Sequence, residues 1–428
     1  MRFTLLFILY FFLNLPLNAQ NEAWDRANSM GKGFNLSNWL EASWLGDDYP
    51  DGNTYNKRDL AYLRGIGMKT VRMPMLFEWY SDTTSPYSLH ESHTAYKLID
   101  SVIKWTRELD MNLIIDNHHG RDLNDQNYLQ QIPRLAGMWK NIINKYDYLD
   151  PDKVFFELRN EPKNDISNQH LRKVTQMIID TIRKYNTTHT LIVGANHWNS
   201  GGSLILTLPY PYTNIIYTFH NYSPHQFTHQ GFSWTGLPSG IIFPETDDAV
   251  ENLKKEITDV KTWSDTHNVP VFLGEFGVST YADATSRCNW INTIGSVLDE
   301  TEIPWAYWDI KHYINAFGFF KQSILNDAFI IPCFENALGL VTGTAALDKY
   351  QNNDFKIYPN PFKNELFIQM NNKFEMAELQ IYSTTGTLVS TKIKLNNSKI
   401  NLSYLNEGLY FARIKIKNKW VSRKIIKN

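Results

Sequence analysis

Cysteine is almost absent. The 428 residues include two, Cys288 and Cys333. Two are too few for a small scaffold held by disulfides. Export would permit a bridge between them, but the preferred reading is two buried, unpaired thiols. A membrane-length apolar run is also missing. The N-terminus, MRFTLLFILYFFLNLPLNAQ, has Arg2 as a short positive start and an apolar stretch over residues 3–15. That stretch falls short of the ~20 residues a membrane span needs. Leu17-Asn18-Ala19 offers a cleavage site before Gln20, so residues 1–19 read as a secretory signal peptide. No later segment is apolar enough to span. No large charge of one sign marks the chain, whose formal charge is -2.

Aromatic residues are plentiful, at 14% with 13 Trp and 23 Tyr. Most fill core space, and the remainder suit stacking on flat ligands or sugar rings. From Gly31 onward, short apolar runs alternate with amphipathic stretches. The runs are GFNL (33–36), KTVRMP (69–74), NLIIDN (112–117), VFFELR (154–159), TLIVGA (190–195), NIIYTF (214–219), PVFLGE (270–275) and PWAYWD (304–309). Helical spacing of apolar residues fills most gaps, as over 95–109, 128–146, 171–185 and 249–266. Eight strands with crossovers predict an α/β fold, a (β/α)8 TIM barrel, over residues 20–342. A doubly wound sheet would show a Gly-rich phosphate turn after its first strand, and GKGFNLSNW has none.

Composition changes near residue 343. Residues 343–352 read as a linker. Residues 353–428 carry 13 Lys and Arg against 5 Asp and Glu, a charge of +8, while the rest carries -10. Alternation in ELFIQM, AELQIYS, GLYFARIKI and WVSRKIIK predicts a small C-terminal β-sandwich. Its lysines alternate with apolar residues, which fits a solvated sheet face and not a nucleic-acid surface.

In a (β/α)8 barrel the active site lies at the C-terminal ends of the strands. Those ends carry Asn38, Arg72, His118 and His119, Asn160 and Glu161, His220 and Tyr222, Glu275, and Trp308. The FFELRNEP stretch thus puts carboxylates where the barrel opens to a cleft, although burying an unpaired charge costs several kcal/mol. Glu161 and Glu275 form a pair suited to glycoside hydrolysis, one protonated and one ionised. Arg72 and Tyr222 can hydrogen-bond one of them and hold it ionised. A lone Glu at a strand end is usually a helix cap or an ion pair; the joint pattern over six or seven strands is not. His118 and His119 are adjacent, so on a strand they would face opposite ways and make a poor metal-chelating pair.

The motifs RNEP and LGEFG, with GFNLSNWLEA, TVRMP, DNHH, FHNYSP and WAYWD in order, resemble glycoside hydrolase family 5, the retaining cellulase and mannanase family, over about residues 24–340. FTHQGFSW (227–234) resembles its bacterial endoglucanase subgroup, which includes dual glucanase–mannanase enzymes. The resemblance implies Glu161 as acid/base and Glu275 as nucleophile. It implies Asn160 on the sugar 2-hydroxyl, Arg72 and Tyr222 orienting Glu275, and His220 supporting Glu161. It places Asn38, Glu41, His118 and His119 on sugars away from the cut, and Trp234 and Trp308 as platforms. It implies no cofactor and no metal. Arg159 departs from the family, where that position is usually uncharged; a pair with Glu157 or another carboxylate would explain it. IYPNPFKNELFI, LQIYSTTGTLV and LNEGLYFARI resemble the C-terminal sorting domain of the type IX secretion system of Gram-negative bacteria. Together these imply a secreted or cell-surface monomer, an endo-β-1,4-glycanase acting on cellulose-type β-glucan with retention, and on glucomannan. Its partners are then a β-linked polysaccharide and the type IX machinery. The alternatives are a β-mannanase and a non-catalytic polysaccharide-binding barrel.

Overall fold

Eight parallel strands close into a barrel in the order β1 to β8. This computed structural model describes residues 15–42, 54–246, 248–310, 317–318, 332–340, 355–370, 377–383, 388–393, 398–416 and 419–428. The strands are β1 Lys32–Asn35, β2 Thr70–Met75, β3 Asn112–Asn117, β4 Val154–Glu157, β5 Leu191–Val193, β6 Ile215–His220, β7 Val271–Glu275 and β8 Trp305–Tyr307. All eight predicted runs are strands, trimmed or shifted by one or two residues at most ends. Helices α1 Leu15–Met30, α2 Lys57–Gly65, α3 Thr94–Glu108, α4 Tyr128–Tyr146, α5 Asn168–Arg183, α6 Asp248–His267, α7 Ala284–Thr301 and α8 Pro332–Ala337 accompany them.

Local chemistry sets the helix starts. Asn56 and Asp59 form a reciprocal capping box on α2. The Ser167 side chain accepts from the His170 N–H on α5, and Asp283 from the Ser286 N–H on α7. Each satisfies an N–H that the helix itself leaves open. Amphipathic spacing then sets which face is buried: α3 buries Ala95, Ile99, Val102, Ile103 and Thr106.

Side chains alternate along a strand, so every second residue faces the barrel interior. One interior layer is apolar: Ile114, Phe155, Ile192, Ile216, Phe272 and Ala306 pack with Ala27 and Met30 of α1, which stops the N-terminal end of the barrel. Two residues further along each strand the composition changes. Asp116, Glu157 and Thr218 follow Ile114, Phe155 and Ile216, all with no solvent exposure. Gly274 follows Phe272. A Cβ there would lie 2.7 Å from Thr218 Oγ1 and 3.0 Å from His220 Nε2. The interior therefore turns from apolar to charged toward the C-terminal mouth.

Cys288 on α7 and Cys333 on α8 form a disulfide with a Cα–Cα distance of 5.6 Å. This corrects the expectation of two free thiols. The two helices pack so closely that a Cβ on Gly295 would lie 2.0 Å from the Ala337 carbonyl oxygen. That proximity is invisible across 45 residues of sequence.

The second compact unit begins at Thr342. It has strands β9 Phe355–Tyr358, β10 Glu365–Met370, β11 Ala377–Ser383, β12 Leu388–Ile393, β13 Ser398–Asn401, β14 Gly408–Ile416 and β15 Lys419–Lys427. They form antiparallel sheets in the orders β13-β10-β9 and β12-β11-β14-β15. Leu366 and Ile368 from one sheet share a core with Leu379, Ile381, Ala412, Ile414 and Ile425 from the other, which makes the sandwich. The linker at 343–352 and residues 1–14 of the signal peptide lie outside the described residues.

Candidate active site

Arg72 is the structural centre of the charged layer. It is fully buried on β2. Its Nε and Nη2 donate to the two carboxylate oxygens of Glu157, at 2.7 and 2.8 Å. Nη1 donates to Glu275 at 2.7 Å and to the Asn35 side chain at 2.9 Å. Nη2 also donates to Asn160 Oδ1 at 2.6 Å and lies 3.1 Å from Asp116. One guanidinium thus ties together β1, β2, β3, β4 and β7.

Glu275 ends β7. Besides Arg72, the Tyr222 hydroxyl donates to it at 2.9 Å. Both bonds favour its ionised form against burial. Glu161 lies beyond β4 and pairs with His220 Nδ1 at 2.7 Å. Burial, the largest cause, pushes Glu161 up to about 7; Arg72 opposes this and Glu157 adds to it. Burial, the largest cause, pushes Glu275 up to about 7 as well; His220, Arg72 and the Tyr222 hydroxyl oppose this, and the Glu161 charge adds to it. The two donors on Glu275 favour the arrangement in which Glu275 is ionised and Glu161 keeps the proton. Burial lowers His220 to about 4, so its imidazole is neutral near pH 7.

The charge count limits how many of the neighbouring carboxylates are ionised at once. Arg72 is one cation among Asp116, Glu157, Glu161 and Glu275. Buried like charges cannot all ionise. Burial pushes Asp116 up to about 7 and raises Glu157.

Asn160 is fixed from both ends. Its N–H donates to the Asn117 carbonyl at 3.0 Å, and its carbonyl accepts from the Asn199 side chain. His118 Nδ1 contacts Asp116 at 2.6 Å, and its ring stacks on Trp308 with centroids 5.2 Å apart and planes 4° apart. His119 is exposed. The strand ends at Asn117, so alternation ends there too, and the two imidazoles stand edge to face at 4.5 Å instead of on opposite faces. Trp234 is 63% exposed and stacks on Phe232. Asn38 donates to Asp309 at 3.0 Å. Glu41 is fully buried, and its carboxylate accepts from the backbone N–H groups of Asn38 and Trp39. Burial pushes it up to about 8. Arg159 pairs with Glu78 at 2.7 Å and not with Glu157, whose oxygens Arg72 occupies.

Sequence reading passed over the end of strand five. There His197, Trp198 and Asn199 all take left-handed backbone conformations, with φ of 57°, 55° and 55°. Three such non-glycine residues in a row are costly and tend to mark functional sites. The turn leaves Trp198 44% exposed and its N–H bonded to the Pro162 carbonyl, next to Glu161. The cue was present in ANHWNSGG, an aromatic residue following an apolar run. Asp116 was also passed over, and Glu157 was read only as a carboxylate at the strand mouth and a partner for Arg159; the cue for both is a charge within an apolar strand.

Glu161, His220 and Glu275 each offer one ligand atom, all within 4.8 Å of one another, and could hold a metal ion. Arg72, 2.7 Å from Glu275, opposes a cation there.

Two close carboxylates at a barrel mouth, one of them receiving hydrogen bonds from an arginine and a tyrosine, make the kind of site that glycoside hydrolysis uses. Comparison with known proteins agrees. Residues 27–313 match the family model for cellulase (glycosyl hydrolase family 5), and the chain belongs to that family. Residues 356–428 match the secretion system C-terminal sorting domain, which marks the protein for type IX export to the outside or surface of a Gram-negative cell. Endoglucanase H of Acetivibrio thermocellus is 30% identical over 290 residues, covering 67% of this chain and 30% of that protein. Endoglucanase 3 of Fibrobacter succinogenes is 28% identical over 362 residues, covering 73% and 53%. The chain thus spans about half or less of the length of these relatives. A solved hyperthermophilic endo-β-1,4-glucanase in complex with substrate is 29% identical, with a TM-score of 0.66 over 74% of this chain and 99% of that one.

Proposed function

We propose that the protein is a secreted retaining endo-β-1,4-glucanase that cuts cellulose-type chains by double displacement, with glucomannan as a further substrate. The observation that carries this is the unequal treatment of the two carboxylates: Arg72 and Tyr222 both donate to Glu275, while Glu161 has His220. Their closest approach, within 4.8 Å, suits attack by one carboxylate on carbon and leaves little room for the water an inverting enzyme needs between them.

In the first step a Glu275 oxygen bonds to the anomeric carbon. The carbon–oxygen bond to the leaving chain breaks, and that oxygen takes the Glu161 proton. In the second step Glu161, now ionised, takes a proton from water as the water oxygen bonds to the same carbon and the Glu275 ester bond breaks. Asn160, held by Arg72 and Asn117, faces the sugar 2-hydroxyl. Trp308, braced flat on His118, presents an apolar face to a sugar ring. Trp234 and Trp198 would carry neighbouring rings. The C-terminal domain would engage the type IX secretion machinery.

Proton NMR of the first product from a soluble β-glucan tests the mechanism. Retention is expected; an inverted first product overturns Glu275 as nucleophile. Activity on galactomannan in place of β-glucan would assign the chain to mannan instead.

A further inference from the structure

A cluster of arginines beside the cleft is not used by this mechanism. Glu78, beyond β2, is fully buried. Arg134 donates to it at 2.6 Å, Arg159 at 2.7 Å and the Arg121 backbone N–H at 3.0 Å. The two carboxylate-bound guanidinium groups already exceed the one negative charge. Arg121 adds a third cation. Its Nε donates to the Glu78 carbonyl at 3.1 Å, and no carboxylate within ion-pair distance of it occurs among the described residues. Its guanidinium instead lies 4.3 Å from the centre of the Trp79 ring.

That position is built. Arg159 Nη2 donates to the Arg121 carbonyl at 2.9 Å. A Cβ on Gly120 would lie 2.3 Å from Glu78 Oε1 and 2.4 Å from Arg159 Nη1, so the loop presses directly on the buried pair. Trp79 is 48% exposed, and its Nε1 donates to the His119 carbonyl at 3.0 Å. His119 neighbours His118, which stacks on Trp308. The Trp79–Arg121 pair therefore stands on the β2–β3 wall of the cleft. Exposed Lys163, two residues past Glu161, adds positive potential felt at His119.

We propose that Trp79 and Arg121 form a lateral subsite for a carboxylate-bearing substituent, such as a uronyl branch, on the β-linked glycan. The guanidinium sits over the indole, and no hydrogen bond from its Nη1 or Nη2 occurs among the described residues, which leaves these donors free for a carboxylate. This rests on the reading of the cleft as a β-glycan site.

The test uses the full exported chain with Glu275→Gln, which cannot cut the polymer. Electrophoresis in gels holding carboxymethylcellulose or hydroxyethylcellulose, with a polymer-free gel as reference, gives an affinity for each. The parent should bind the carboxymethyl polymer more tightly. Arg121→Gln should weaken that binding roughly two- to five-fold, as loss of an exposed charge contact does, with a smaller change on the hydroxyethyl polymer. Arg121→Lys should restore part of it. Lys104→Gln, an equal charge change on the outer face of α3, should not weaken it. No preference in the parent, equal losses on both polymers, or a matching loss in Lys104→Gln overturns the subsite. If the active enzyme releases no sugar from either polymer, the glucanase reading fails, while the gels still decide the subsite.

Discussion

Glu157→Gln probes the charged layer without touching a group that meets substrate. The substitution preserves shape and removes a charge. Arg72 currently meets both Glu157 oxygens, at 2.7 and 2.8 Å. In the variant one oxygen becomes an NH2 group, so a donor faces a donor. The lost charge-assisted bond is worth about 1.5–3 kcal/mol, and Arg72 is drawn toward the carboxylates it retains. Since it also holds Glu275 and Asn160, both move with it. A misplacement of about 1 Å costs on the order of 100-fold, so kcat/KM should fall roughly 10- to 100-fold. A second effect has a definite sign. Burial is the main reason Glu161 is raised, and the Glu157 charge adds to it. Removing that charge makes Glu161 easier to ionise, so its proton is lost at lower pH. The basic limb of the kcat/KM profile should move toward acid. The assay is kcat/KM on soluble β-glucan from acid to alkaline pH, with circular dichroism to establish folding. A residue that only packs would lower activity without moving the limb. A folded variant with an unmoved or alkaline-shifted limb refutes the reasoning.

Glu161→Ala should keep much of its first step on an aryl glycoside with a good leaving group and stall at the second, and azide should restore turnover with a β-glycosyl azide as product; wild-type rates on unactivated glucan would show that Glu161 is not the acid. Cys288→Ser should leave room-temperature kcat/KM intact but lower stability by about 4 kcal/mol, the chain-entropy value for closing a 45-residue separation; thermal unfolding with and without reductant checks this, since reduced wild type should match the variant.

Eight apolar runs separated by helical spacing made the barrel legible, because that pattern has few closed solutions. Run ends were less legible: VFFELR resumes an apolar residue at Leu158, but β4 stops at Glu157, the last residue paired with β5. Glu161 and Glu275 were legible as polar groups at strand mouths. The unequal roles proposed for them rest on Arg72, whose contacts with Glu157 and Glu275 span 85 and 203 residues of sequence. No local pattern encodes such a contact; it exists only once the barrel closes. The same limit hid the disulfide and the partner of Arg159. Local patterns also mislead where regular structure stops, as at His118 and His119, whose strand alternation ends one residue too early.

Stability does not explain the charged layer. A buried ion pair is often no better for a fold than well-packed apolar side chains of similar volume. Ile114, Phe155, Ile216 and Phe272 show that this barrel fills its interior with such side chains one layer below. Asp116, Glu157 and Arg72 occupy the next layer at the expense of that packing. What the substitution of charge for bulk provides is a fixed field and a fixed donor geometry beneath Glu161, Glu275 and Asn160. A carboxylate in FFELRNEP is therefore explained by the guanidinium it meets on β2, and the guanidinium by the Glu275 carboxylate, the proposed nucleophile, that it holds on β7.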